Sequence, residues 1–115
     1  MDQAAIIRTM LEALRLEIEE RPNLKVQPLG DLGLAVCNTP RSITVTARMS
    51  SDGQWIMLEH QQHDELTGIL MKKPDTIEVG VAEDATTHFV HKGTQLDLKG
   101  LAQFLIEAVE GSSGV

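Results

Sequence analysis

The amino-acid sequence predicts a single α+β domain: an antiparallel sheet of about six strands, flanked on one face by an N-terminal and a C-terminal α-helix. Three observations predict this class. Apolar residues recur at helical spacing near both ends of the chain, they alternate with polar residues in the middle, and short turn sequences separate the alternating runs. Because strands joined by short turns are antiparallel, a meander of hairpins is favoured over a doubly wound sheet.

The length and composition are typical of one folded domain. Of the 115 residues, 42% are hydrophobic and 23% are charged, whereas a disordered chain has fewer apolar residues. We therefore interpret 1–115 as one domain, with 110–115 as a flexible tail rich in glycine and serine. Aromatic residues make up only 3%, so the core must consist of Leu, Ile, Val and Met side chains.

The first element is a helix over 4–20. Its apolar residues lie three and four positions apart, and Pro22 ends the pattern. The residues on this apolar stripe are Ile7, Met10, Leu11, Leu14 and Ile18.

Two strands follow, over 24–29 and 32–38, and the turn sequence Gly30-Asp31 joins them. Pro28 has no amide hydrogen to donate to a neighbouring strand. The first of the two strands should therefore lie at an edge of the sheet, or be irregular at this residue.

The clearest signal in the chain is a β-hairpin around Asp52-Gly53. Apolar and polar residues alternate on both sides of this dipeptide. A two-residue turn there would fix the register of the whole strand pair. On the apolar face it would pair Met49 with Ile56, Ala47 with Leu58, and Val45 with His60.

A second hairpin is predicted by the Lys-Pro-Asp sequence at 73–75, which is a turn signal between the apolar runs 67–72 and 76–81. A polar, acidic connection follows. The last predicted strand is short and covers 87–91.

The C-terminal helix is predicted near 95–110. Thr94 and Asp97 have the spacing of a capping box, and apolar residues follow at helical spacing. Together with Leu14 of the first helix, Phe104 of this helix is expected to be a core residue.

The second face of the Asp52-Gly53 hairpin carries two large apolar side chains, Trp55 and Met57. The predicted register places Met57 opposite Arg48, and residues directly opposite project to the same side. Two helices can cover only one face of the sheet, and Trp and Met are enriched at the centres of protein interfaces. We therefore predict a protein interface formed by Arg48, Trp55 and Met57. The alternative is that a loop or a curled sheet covers these side chains within the domain.

The charge balance and the cysteine content limit the partners and the location. Acidic residues outnumber basic ones by 17 to 10, which gives a formal net charge of -7. Since the basic residues form no stripe, nucleic acid and anionic membranes are disfavoured as partners.

The lone Cys37 cannot close an internal disulfide, and we see no export signal or long apolar run. The expected location is therefore the cytoplasm.

Histidines supply the nearest resemblance to a metal site. His60 and His63 are followed by Asp64, and His88 and His91 form a second pair of the same spacing. In a regular strand, His88 and His91 would point to opposite faces, and the first pair straddles a strand end. We therefore expect no metal and no cofactor, and regard His60, His63 and Asp64 as weak candidates only.

These observations favour a small acidic, non-catalytic protein-binding domain of the adaptor, chaperone, inhibitor or immunity type. It would engage another protein, or a second copy as a homodimer, through a sheet face. Two alternatives stay open. One is a small-ligand binder or small enzyme with a polar corner around His60, His63 and Asp64, and the other is an acidic nucleic-acid mimic. The sequence contains neither a phosphate-binding loop nor a serine nucleophile motif that would indicate catalysis.

Overall fold

The computed structural model describes residues 3–30, 32–64, 66–81 and 87–110, and within them it has the predicted α+β class. A seven-stranded antiparallel sheet is combined with one helix from each end of the described chain. The helices are α1 (Gln3–Glu19) and α2 (Leu98–Glu110), and the strands are β1 (Leu24–Pro28), β2 (Gly33–Asn38), β3 (Ile43–Met49), β4 (Trp55–His63), β5 (Leu70–Val81), β6 (Thr87–His91) and β7 (Thr94–Leu96).

Some predictions concern parts of the chain outside the described residues. These are residues 111–115 of the predicted tail, the acidic connection at 82–86, residue Asp31 of the first turn, and the side chain of Ile7. Glu110, the first residue of the predicted tail, is instead the last residue of α2. Neither of the two described helices is long and apolar enough to cross a membrane.

The strands follow one another in the sheet in the same order as in the chain, so the sheet is a meander. β1 lies at one edge, as the missing amide hydrogen of Pro28 predicts. β7, a strand of only three residues that the sequence did not predict, lies at the other edge.

The hydrophobic core lies between one face of the sheet and the two helices. α1 packs against α2 and β1, while α2 also contacts β2, β3, β6 and β7. Leu14 is 1% exposed, which confirms its predicted place in the core, whereas Phe104 is only partly buried at the rim of the core. The largest fully buried side chains are Leu14, Ile18, Ile77, Phe89, Leu101 and Leu105.

The register predicted for the first long hairpin is confirmed for the pairs from Val45 to Met49, but its turn is wider than two residues. Ser50 N–H donates to Trp55 O at 2.8 Å, and Gly53 N–H donates to Ser50 O at 2.9 Å. Gly53 has a φ of 72°. This is a four-residue loop built on a tight turn that ends in a left-handed glycine. Compared with the predicted two-residue turn, the loop has one additional residue on each side, Ser51 and Gln54, so the register of the strand pair is unchanged.

The predicted turn at 73–75 is wrong, because β5 runs without interruption through these residues. Proline is tolerated inside a strand only where its nitrogen faces away from a neighbouring strand. Pro74 pairs opposite Glu59 of β4, while β6 pairs only with 78–81 of β5. Among the described residues, no strand therefore pairs with Pro74 on the side of β5 away from β4, and the missing amide hydrogen breaks no bond between strands there.

The chain turns before β5, in the segment that joins it to β4. Asp64 N–H donates to Ile69 O at 2.9 Å, which closes the loop. Asp64 Oδ1 accepts hydrogen bonds from the N–H groups of Leu66 and Thr67, at 2.8 and 2.9 Å. An aspartate that bonds the backbone two and three residues ahead is typical of such turns.

The predicted capping box is also wrong in its position. Thr94 belongs to β7, and Asp97 is the residue that caps α2. Asp97 Oδ1 accepts a hydrogen bond from Gly100 N–H at 2.7 Å, and Leu101 N–H donates to Asp97 O at 2.9 Å. Asp97 is therefore the N-cap and binds one amide of the first turn, and α2 begins at Leu98, about three residues later than predicted.

Candidate functional site

The sheet face opposite the helices, which we call the open face, carries no helix in the described part of the chain. Alternation along β3 and β4 assigns Ile43, Val45, Ala47, Ile56 and Leu58 to the core, and leaves their neighbours for the open face. The register then sets two rows of open-face residues. One row contains Gly33, Arg48, Met57 and Thr76, and the other contains Trp55, Glu78, Val90 and Gln95.

The three residues predicted as an interface, Arg48, Trp55 and Met57, lie on this open face, and we call them the contact patch. Arg48 lies directly opposite Met57. Trp55 is 41% exposed and Met57 is 51% exposed, although both are large apolar side chains. The described chain therefore does not cover the contact patch.

A glycine on the neighbouring strand makes room for one member of the contact patch. Gly33 pairs with Arg48, and a Cβ atom at Gly33 would lie 3.1 Å from Arg48 Cγ and 2.9 Å from Ala47 O. The aliphatic stem of Arg48 therefore lies close against the backbone of β2. This packing limits the positions that its guanidinium group can take.

Exposed apolar surface in the described residues is concentrated on the β4–β5 hairpin. Seven large apolar side chains are exposed, and six of them belong to this hairpin, the exception being Leu16 of α1. These side chains form two groups, with Trp55 and Met57 at one end of the hairpin and the other four at the end where the loop joins the strands. Exposed apolar surface often marks an interaction site. The six side chains are Trp55, Met57, Leu66, Ile69, Leu70 and Met71.

The open face around the contact patch carries both signs of charge. Arg48 is on β3, Glu59 is on β4 and Glu78 is on β5. Glu59 Oε1 accepts a hydrogen bond from Gln61 Nε2 at 2.5 Å. Such a mixed surface can be complementary to many protein surfaces, including its own.

The residues of the predicted polar corner do not converge on one site. His60 lies on the helix side, where its Nε2 is 3.2 Å from Ala108 O. His63, three residues further along the same strand, lies on the other face and is exposed. The carboxylate of Asp64 is held by the turn, and hydrogen bonds from the Thr67 and Leu66 amides keep its pKa below the ordinary value of 3.8. Among the described residues, no group of three His, Cys, Asp or Glu side chains could hold a metal ion.

The second histidine pair is split between the two faces, as alternation predicts. The ring of His88 lies over Gly80, where an added Cβ atom would come within 2.5 Å of His88 Nε2. His91 faces the helix side, where its Nε2 is 2.7 Å from Asp75 Oδ2 and its ring centroid is 4.5 Å from that of Phe104. No sequence pattern indicated the Asp75–His91 pair, because Asp75 was predicted to lie in a turn.

The fold and the surface define a class: a small α+β domain in which helices pack on one sheet face and the described chain leaves the other face uncovered. The chain matches no protein-family model, no curated protein and no solved structure. Its function is therefore inferred from its surface.

Proposed function

We propose that this chain is a small, non-catalytic protein-binding domain that engages another protein through the open face of its sheet. One observation carries the proposal. Both helices pack on the same face, and Trp55 and Met57 are 41% and 51% exposed on the other. Trp and Met are enriched at interface centres, where charged residues are depleted.

The composition of the open face supports a protein surface as the partner. Arg48 lies beside Met57, and Glu78 lies opposite Trp55, so an apolar centre is bordered by charged side chains, the usual arrangement of an interface core and rim. The simplest partner is a second copy of the chain. Two such faces can pack as a sandwich, about 10 Å apart, with Arg48 of each copy near an acidic residue of the other.

Replacement of Trp55 by Ala tests this proposal. Truncation of a tryptophan at an interface centre commonly costs about 2 kcal/mol or more, so association should weaken by roughly thirtyfold or more. At a concentration at which both proteins are monomeric, the variant should melt like the parent, because Trp55 contributes little to the core. Leu16→Ala is the matched control, since Leu16 is also exposed, at 56%, but lies on α1.

Sedimentation of the parent and both variants at several concentrations, together with their thermal melts, gives the answer. We expect association of the parent, weaker association of Trp55→Ala and unchanged association of Leu16→Ala. A monomeric parent combined with a sharply destabilised Trp55→Ala variant would show that Trp55 is internal, and would refute the proposal.

A further inference from the structure

Most of β5 has a neighbouring strand on only one side. β4 pairs with residues 70–78 of β5, but β6 pairs only with 78–81. In the part of the chain that the structure describes, no strand therefore pairs with 70–77 on the side away from β4. We call this stretch the free edge of β5.

The hydrogen bonds show which backbone groups face this free edge. Val79 N–H donates to Gln54 O at 2.8 Å, so the odd-numbered residues of β5 direct their backbone groups toward β4. The even-numbered residues Lys72 and Thr76 therefore direct theirs outward. Thr76 N–H bonds to Asp75 Oδ1 at 2.8 Å, not to another strand. Between 71 and 77, Lys72 N–H and the C=O groups of Lys72, Pro74 and Thr76 face outward with no strand partner in the described chain. Backbone groups without a strand partner are a template for an added strand.

A groove on the helix side reaches the free edge at Lys73, Pro74 and Asp75. It crosses β3, β4 and β5 beside α2, has a volume of about 300 Å³, and also includes His60, Phe104 and Ala108 in its lining. A strand added to the free edge would direct alternate side chains into this groove and the others onto the open face. The site therefore offers both backbone bonds and a place for side chains.

The charges at the free edge point to the chemistry of its occupant. Lys72 is on the open-face side of β5, Lys73 is on the groove side, and Lys92 also lines the groove. The carboxylate of Asp75 is already paired with His91 at 2.7 Å. Lys72, Lys73 and Lys92 thus place three cationic side chains near this edge, in a chain whose formal net charge is -7. An added strand would meet a lysine on each of its faces, which favours adjacent acidic residues.

A second copy of the chain fits the free edge poorly. If two β5 strands paired in antiparallel fashion about Pro74, the two prolines would face each other and neither could donate. If they paired about Lys72 or Lys73, identical positive charges would lie directly opposite, which is destabilising. The same residues that favour an acidic strand therefore oppose self-pairing.

We propose that the free edge of β5 binds an extended acidic segment of another protein, which adds to the sheet as an eighth strand beside Lys72 and Lys73. This site is separate from the contact patch. Leu70 and Met71, which are 39% and 49% exposed, would be partly covered by the apolar end of such a segment.

The proposal is tested with a capped, fluorescently labelled peptide of sequence Val-Thr-Val-Glu-Glu-Val-Thr-Val. The comparison peptide has both Glu residues replaced by Lys. The protein variants are Lys72→Glu/Lys73→Glu and, as the control with the same charge change elsewhere, Lys25→Glu/Lys99→Glu. Lys25 and Lys99 are exposed and lie on β1 and α2.

We expect the acidic peptide to bind the parent, and the Lys72→Glu/Lys73→Glu variant to lose about tenfold or more in affinity. The control variant should stay within about twofold of the parent. Binding should slow hydrogen exchange of the Lys72 amide, which faces outward, and leave that of Lys73, which faces β4, unchanged. Trp55→Ala should not alter peptide binding, so this proposal and the proposed function can fail separately.

Four results would overturn the proposal. They are no binding at about 1 mM peptide, equal binding of the lysine peptide, protection of amides elsewhere but not of Lys72, and a doubled mass that depends on Lys72 and Lys73. The last result would assign the free edge to a second copy of the chain.

Discussion

His91 Nε2 lies 2.7 Å from Asp75 Oδ2, and this contact joins β6 to β5 beyond the last backbone pair of the two strands. Burial raises the pKa of the Asp75 carboxyl, but the hydrogen bonds from His91 and from Thr76 N–H outweigh it. The pKa therefore lies below the ordinary value of 3.8. The ring of Phe104 packs against His91 on the helix side.

The first prediction concerns the pH dependence of stability. Because the pKa of Asp75 is lower in the folded state, its ionised form stabilises the fold above the ordinary value of 3.8, and this contribution is lost as the pH falls through the folded-state value. Near neutral pH, Asp75→Asn should therefore lower the free energy of unfolding by roughly 1 kcal/mol and melt at a lower temperature than the parent. Thermal melts as a function of pH should show that the difference in stability between the parent and Asp75→Asn becomes smaller in acid. A gap that widened in acid would contradict this account.

The second prediction separates the two possible caps of α2. Asp97→Ala removes the oxygen that binds Gly100 N–H, so it should cost about 0.5 to 2 kcal/mol. Thr94→Ala should cost less than about 0.5 kcal/mol, because Thr94 is exposed on the edge strand β7. Urea unfolding of both variants measures the difference. A larger loss for Thr94→Ala would restore the capping box of the sequence prediction.

The third prediction compares two leucines of α1. Leu14 is 1% exposed and Leu16 is 56% exposed, so the same truncation removes very different contacts. Leu14→Ala should cost about 2 to 5 kcal/mol, and Leu16→Ala less than about 0.5 kcal/mol. Equal losses in urea unfolding would mean that α1 packs with a different face.

The local sequence predicted the structure correctly where interactions between nearby residues determine it. The β3–β4 register follows from alternation on both sides of Gly53, and the core position of Leu14 follows from helical spacing. The position of β1 at an edge follows from Pro28, which lacks a donor.

Predictions from the local sequence were wrong or missing where strands distant in the chain determine the structure. Pro74 is tolerated in β5 because β6 does not reach it, and the length of β6 is not encoded near Pro74. The contact of Asp75 with His91 depends on the same register. The positions of Trp55 and Met57 on one face were predictable, but their exposure depends on where both helices pack.

The fourth prediction concerns metal binding. His60 and His63 lie on opposite faces of β4, so a single ion cannot bind both rings without a change of structure. We expect no stoichiometric transition metal in the purified protein. His60→Ala should cost about 0.5 to 1.5 kcal/mol through loss of its bond to Ala108 O, and His63→Ala should melt like the parent. Elemental analysis that found one zinc per chain, lost in the double Ala variant, would contradict this.

The fifth prediction tests the central claim, that the open face is left for a partner. The chain contains a single tryptophan, Trp55, so its intrinsic fluorescence reports on the contact patch alone. The decisive measurement is the emission of Trp55, with acrylamide quenching, over a series of protein concentrations. We predict red-shifted, readily quenched emission in the dilute protein, and a blue shift with protection as the protein associates. Blue-shifted, protected emission in the dilute monomer would contradict the account, because Trp55 would then be covered by its own chain.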